Sequence, residues 1–180
     1  IFASDHGDML AEKMMIQKRC FYEWSARIPL IISFPDGYQA GRKVEQPVSL
    51  IDIVPTALDL AGVAQEARAP MDAQSLSSLI DGSDKRGRVT FSEFHTDKVR
   101  EPCFMVRQGK YKYIYIHNHP GQLFDLEVDP DEWNNLSGNE QVAEVEAALR
   151  NLILEQFDPE TIKQDALTSV RKREIIREAM

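Results

Sequence analysis

Cysteine is scarce. The chain has 2 in 180 residues, Cys20 and Cys103, far apart and without C-x-x-C spacing, which argues against a disulfide framework and a structural zinc site. A reducing compartment, the cytoplasm, is therefore the expected location. No apolar run approaches the ~18 residues that would span a bilayer, so no membrane span is expected, and no signal peptide is visible. Basic residues are in the minority, with 21 Lys and Arg against 29 Asp and Glu and a net charge of -8. A surface that must neutralise phosphates is thereby disfavoured, and no nucleic-acid partner is expected. Internal repeats and low-complexity tracts are also absent. What is present, 43% hydrophobic and 28% charged residues, describes a globular chain able to bury a core of its own.

The most informative segment is Ile1-Phe2-Ala3-Ser4-Asp5-His6-Gly7-Asp8, an apolar strand running into a carboxylate, an imidazole and a glycine. Open α/β sheets deliver ligands beyond the carboxyl ends of their strands. Asp5 offers a hard oxygen and His6 a nitrogen to a metal ion, and Gly7 lets the chain turn sharply behind them. Asp and Gly also serve any strand-to-loop turn, so the triplet alone is a weak signal. A chain starting within a strand reads as the later part of a longer protein.

Ile1–Ser4 and Ile28–Phe34 read as buried strands of a parallel sheet covered on both faces. Between them runs a long polar loop, Asp8 to Arg27, in which Lys18, with Lys13 and Arg19 close by, could hold an anion beside a cation. Ser49-Leu50-Ile51-Asp52 resembles a capping box, and the helix that follows is ended by Gly62. Ser75–Ile80 suggests a second, short helix. From Val89 the pattern becomes antiparallel: Val89–Phe94, Cys103–Arg107 and Lys110–Ile116, the last two joined by Gln108-Gly109, with Gln122–Leu126 as a further strand. Alternation of lysine and tyrosine from Lys110 predicts one wet face. Asp129–Glu132 introduces a helical tail with Val142, Val145, Leu149, Leu152 and Ile153 at helical spacing, and Pro159–Met180 continues as a charged helix that could dock on a neighbouring subunit.

Several ordered motifs, Asp5-His6-Gly7-Asp8-Met9-Leu10, Lys18, Ser25–Ile32, Gln46–Gly62, Gly109–Tyr113 and Gln122–Leu136, together resemble the later half of a sulfatase, a family of the alkaline phosphatase superfamily. Glu23–Arg27 and Asp8–Leu10 are most similar to choline-sulfatase-like and phosphonate-monoester-hydrolase-like members. The resemblance implies an α/β fold: part of an alkaline-phosphatase-like mixed sheet with flanking helices, and a small C-terminal antiparallel sheet with helices. Residues 1–87 would then belong to the catalytic domain with its metal loop at 5–27, residues 88–138 to the small sheet, and 139–180 to a helical tail.

It further implies that Asp5 and His6 are two ligands of one divalent cation, usually calcium, with magnesium or manganese as alternatives. Lys18 would contact the sulfate oxygens as a catalytic and substrate-binding residue. Glu93 falls about where choline sulfatases carry a carboxylate for the quaternary ammonium, although a surface glutamate at a strand end is an equal reading. The nucleophile of such enzymes is a formylglycine made from C/S-x-P-x-R, expected upstream. Here Cys103–Arg107 has methionine where proline belongs, and Cys103 is read as a strand core residue. His95, His117 and His119 are read as ordinary loop and edge histidines, and Trp24 and Trp133 as packing residues.

The expected function is therefore cleavage of small-molecule sulfate monoesters by a longer chain, this segment alone being inactive. Two alternatives stand beside it: hydrolysis of phosphonate or phosphate esters on the same scaffold, and a non-catalytic domain whose C-terminal helices assemble a homo-oligomer.

Overall fold

The computed structural model describes residues 1–95 and 99–179. The chain forms two compact units, 1–90 and 91–180, and each is built on a different principle.

In the first unit, β1 (Phe2–Ala3) pairs with β4 (Leu30–Ile31), Phe2 opposite Ile31 and Ala3 opposite Leu30. The pairing is antiparallel, not parallel, and only two residues long. Pro29 and Pro35 bound the run, and a proline has no N–H to give to a ladder. Phe2 and Ile31 remain largely exposed. The long loop is not structureless either. It carries a hairpin of β2 (Met9–Leu10) and β3 (Ile16–Gln17), Met9 opposite Gln17, and then the single-turn helix α1 (Glu23–Ala26). Ala11, Lys13 and Met14 turn the hairpin with positive φ values of 97°, 50° and 57°, while Met9 anchors it at 1% exposure.

The capping box is present. The backbone N–H of Ser49 donates to Asp52 Oδ2 at 3.0 Å, opening a 3-10 turn that leads into α2 (Ile53–Leu60). The second helix, α3 (Ser77–Asp81), ends at Gly82 with φ 83°. A polar hub holds α2 to α3. Asp52 Oδ1 accepts the N–H of Gln74 at 2.9 Å, Asp52 Oδ2 meets the Arg88 guanidinium at 3.4 Å, and Thr56 Oγ1 donates to the Asp52 carbonyl while accepting from Leu76 N–H. Because these groups are buried, every unmet hydrogen bond among them would carry a desolvation cost. Leu76 and Leu79 complete this core.

The second unit is a four-stranded antiparallel sheet in the order β5 (Val89–Phe94), β6 (Cys103–Gln108), β7 (Tyr111–Ile116), β8 (Gln122–Asp125). The β6–β7 turn consists of Gly109 and Lys110, one residue later than the sequence suggested, because Gln108 still pairs with Tyr111 and Gly109 takes φ 56°. One face carries Phe104, Val106, Tyr113, Tyr115 and Leu123 among its buried residues. Helix α4 (Ala143–Gln156) packs on β6 and β7, contributing Leu149 and Ile153 at 2% and 0% exposure. Each such side chain contributes about 1.5–3 kcal/mol. Phe157 closes the end of α4 against Phe104, with ring centroids 4.8 Å apart.

Two expectations for this unit are overturned. The lysine–tyrosine alternation does not mark a wet face: Lys112 is wholly buried, its ammonium 2.6 Å from Glu132 Oε1, and Glu132 is equally buried. The helical tail does not start at Asp129–Glu132. Asp129 instead accepts the N–H groups of Trp133 and Asn134, and Glu132 adopts φ 55°, so this stretch is a folded turn; helix begins with a 3-10 turn at Glu140–Val142. His117 and His119 lie past the end of β7 at Ile116, as loop residues. The last helix, α5 (Pro159–Glu178), is as the sequence predicts, with Met180 outside the described residues. Asp158 caps it, and the Lys163–Glu101 ion pair at 2.8 Å and the His117–Glu160 contact at 3.0 Å fasten its first turns.

Candidate functional site

The end of β1 gathers three of the residues singled out from the sequence. Asp5 Oδ2 lies 3.3 Å from His6 Nε2, and Lys18 Nζ lies 2.6 Å from the same nitrogen, although twelve residues separate the histidine from the lysine. The hairpin between them folds back far enough to bring Lys18 alongside. His6 Nδ1 is 2.7 Å from the Gly7 carbonyl. A carbonyl can only accept, so Nδ1 carries the proton and the Nε2 lone pair faces outward toward Asp5 and Lys18. Two acceptors 3.3 Å apart repel unless a cation lies between or beside them. In this arrangement the Lys18 ammonium fills that need.

The same spacing is what a metal ion would require. Neighbouring ligands at right angles, each about 2.3 Å from an ion, stand about 3.3 Å apart, within the range of oxygen-rich divalent cation sites. The histidine is oriented through its far nitrogen, as metal-bound imidazoles are. Burial raises the Asp5 carboxyl, but nearby positive charge and two backbone N–H groups lower it by more, so it sits below its ordinary value. The donor set therefore fits a hard or borderline cation. Among the described residues no group of three or more His, Cys, Asp or Glu side chains converges, so Asp5 and His6 are the two such donors that meet here.

Two residues within the quoted motifs position the site in ways the sequence does not reveal. Ser25, 3% exposed, accepts the Gly7 N–H through its carbonyl at 2.8 Å and donates through Oγ to the Lys18 carbonyl at 2.6 Å. One serine thus ties the turn after β1 and Lys18 to a common point, from a position 18 residues past Gly7 that no local pattern reveals. Ser4 Oγ donates to the His6 carbonyl at 2.8 Å and steadies the turn. Gly7 is needed for close approach: a Cβ there would lie 2.0 Å from the Trp24 carbonyl oxygen. Lys13, which the sequence offered as an alternative to Lys18, lies over the Tyr22 and Trp24 rings, 4.7 and 5.9 Å from their centres.

Glu93 sits in the second unit near the end of β5, with 53% of its side chain exposed and its carboxylate 2.7 Å from His95 Nε2. His95 in turn packs on Phe104. Cys103 is half-buried on β6, where burial and Glu101 push its thiol up from the ordinary value, the opposite of an activated nucleophile.

The family model for the C-terminal part of N-sulphoglucosamine sulphohydrolase matches residues 11–158. A choline-sulfatase from Rhizobium meliloti is 36% identical over 184 aligned residues, covering 100% of this chain and 35% of that protein. The chain spans about a third of the length of the curated relatives it matches. A sulfatase-type structure from Bacteroides thetaiotaomicron superposes with a TM-score of 0.70 at 29% identity, over 93% of this chain and 37% of the other. A phosphonate monoester hydrolase from Agrobacterium radiobacter gives 0.70 at 25% identity, over 86% and 34%. With its mixed α/β elements and ordered motifs, the chain belongs to the sulfatase family of alkaline-phosphatase-like hydrolases.

Proposed function

We propose that these residues act in the hydrolysis of sulfate monoesters, with Asp5 and His6 as two ligands of a divalent cation, calcium first and magnesium or manganese as alternatives, and Lys18 as the anion-binding residue. The observation that carries this reading is the convergence of Asp5 Oδ2 and Lys18 Nζ on His6 Nε2, at 3.3 and 2.6 Å. A bound cation would supply charge neutralisation at the sulfuryl group and at the nucleophile.

The chain's own groups do the rest. The Gly7 carbonyl holds the His6 Nδ1 proton, so that Nε2 is presented as a lone pair. Asp5 stays ionised and keeps a hard oxygen on offer. Lys18, released from His6 when an ester binds, donates to the sulfuryl oxygens, placing positive charge where negative charge develops. The nucleophile is proposed to be a formylglycine from C/S-x-P-x-R, a motif found nowhere in the 180 residues, so these residues are not expected to turn over substrate without it. Glu93 is proposed to contact the alcohol portion of the substrate. The exposed apolar residues of α5, Leu167, Val170, Ile175 and Ile176, are proposed to meet a second copy of the chain. A cytoplasmic location is proposed on the low cysteine content.

Calorimetric calcium titration of the wild type and of Asp5→Ala tests the metal assignment; unchanged affinity in the variant overturns it. The likeness to a phosphonate monoester hydrolase favours one competing reading, phosphonate or phosphate ester hydrolysis. Rates on 4-nitrophenyl sulfate and 4-nitrophenyl phenylphosphonate, measured on protein carrying C/S-x-P-x-R, decide between them, and a clear preference for the phosphonate selects the competitor.

A further inference from the structure

The first unit contains a cavity of about 330 Å³ between the segment around Arg42–Gln46 and the turn that follows α3. Its chemistry is at odds with a chain of net charge -8. Three cations, Arg42, Lys43 and Lys85, line it. Arg42 is built into the wall. Its guanidinium donates to the Ile80 carbonyl at 2.9 Å and lies against Gly82, where a Cβ would come within 2.8 Å of both terminal nitrogens. Gly82 therefore does two things at once, ending α3 with φ 83° and leaving room for the arginine plane.

Lys43 and Lys85 make no ion pair among the described residues. The carboxylates near them are mostly occupied. Asp84 is engaged by the Arg86 guanidinium at 3.1 and 3.2 Å, and Asp81 accepts the Ser83 N–H at 2.7 Å. Glu45 is the one lining carboxylate without such a contact among the described residues, leaving an excess of positive charge. The wall also contains a buried acceptor with nothing to accept: Gln46 Nε2 reaches the Asp84 carbonyl at 3.4 Å, while Gln46 Oε1 has no hydrogen-bond partner. A buried amide oxygen left in that state carries a desolvation cost that a ligand's hydroxyl would remove.

We propose that this cavity is a binding site for an oxyanion that carries a neighbouring hydroxyl, such as a sugar sulfate or sugar phosphate. Arg42, Lys43 and Lys85 take the tetrahedral anion and Gln46 Oε1 accepts from the hydroxyl. Arginine offers a planar fork to two anion oxygens, and the lysines act as point charges beside it. The site stands on its own lining and does not depend on the reaction assigned to Asp5, His6 and Lys18.

Calorimetry on the full chain, titrated with glucose 6-sulfate, glucose 6-phosphate, inorganic sulfate and glucose, tests this. Saturable binding of a sugar ester, tighter than inorganic sulfate, with no binding of glucose, supports the site; the two esters distinguish a sulfate from a phosphate ligand. Reversing both charges, Lys43→Glu with Lys85→Glu, removes two favourable contacts and adds two unfavourable ones, so affinity falls about tenfold or more. Lys43→Gln with Lys85→Gln gives a smaller loss in the same direction and guards against a folding defect. Gln46→Leu narrows the gap between sugar ester and inorganic sulfate. Binding that survives both lysine double variants, or no saturable binding of either ester, overturns the proposal. Repeating the titration on Asp5→Ala, where affinity should be unchanged, keeps this result separate from the fate of the metal assignment.

Discussion

Replacing Lys112 with methionine removes one half of an ion pair whose two side chains have no exposed surface. The methionine fills nearly the same volume, so packing changes little, but the Glu132 carboxylate is left in a dry interior. Breaking a buried pair from one side costs about 3–5 kcal/mol, against a total of roughly 5–15 kcal/mol for a domain. With a urea slope of about 2 kcal/mol per M, the unfolding midpoint should drop by about 1.5–2.5 M. Glu132→Leu should do similar damage from the other side. The double variant, Lys112→Met with Glu132→Leu, leaves no unpaired charge and should recover most of the loss. Urea melts followed by tyrosine and tryptophan fluorescence measure all three. Midpoint shifts below about 0.5 M in the single variants, or a double variant losing the sum of the two, would refute the account.

Gly7→Ala forces the Trp24 carbonyl aside by more than the hairpin can absorb cheaply; a stability loss of about 1–3 kcal/mol and a weaker calcium titration are expected, and an unchanged titration would mean that this close approach does not position His6. Acid stability should depend on Asp125. Burial raises its carboxyl, but the Lys110 ammonium at 2.6 Å and the Glu127 N–H lower it by more, so the folded value lies below the unfolded one. Such a group contributes stability above about pH 4, the unfolded value, and loses it as pH falls through the lower folded value. Lys110→Met should therefore flatten that part of an acid-unfolding curve followed by circular dichroism, and an identical curve would count against the pairing.

Elements whose signals are local were legible in the sequence. The Ser49–Asp52 box, the Gly62 stop, β5 at Val89–Phe94 and α5 from Pro159 all rest on caps, turns and periodicity within a few residues. Misread elements depended on distant partners. Lys112 looked solvated because nothing near it in sequence reveals that Glu132 waits inside a turn twenty residues on. Asp129–Glu132 looked like a helix start because an aspartate and a proline open helices and turns alike. The β1–β4 pair was misjudged because an apolar run says nothing of strand direction, and Phe2 and Ile31 within it are exposed rather than buried. At the site, Asp5, His6 and Lys18 stood out by residue type, whereas Ser25 and the close approach at Gly7 exist only once the loop has folded back.

That single serine also sets where the molecule can tolerate rebuilding. Gly7 and Lys18 are both moored to Ser25 and Met9 is buried, so residues 10–17 form a closed excursion whose two ends are held from outside it. Lengthening such an excursion costs little chain entropy, about 0.6 kcal/mol per doubling. Its tip, with Met14 at 98% exposure, is accordingly the place where a peptide tag, a reporter or a substrate-selecting insertion could be grafted without shifting Asp5, His6 or Lys18 from their mutual distances.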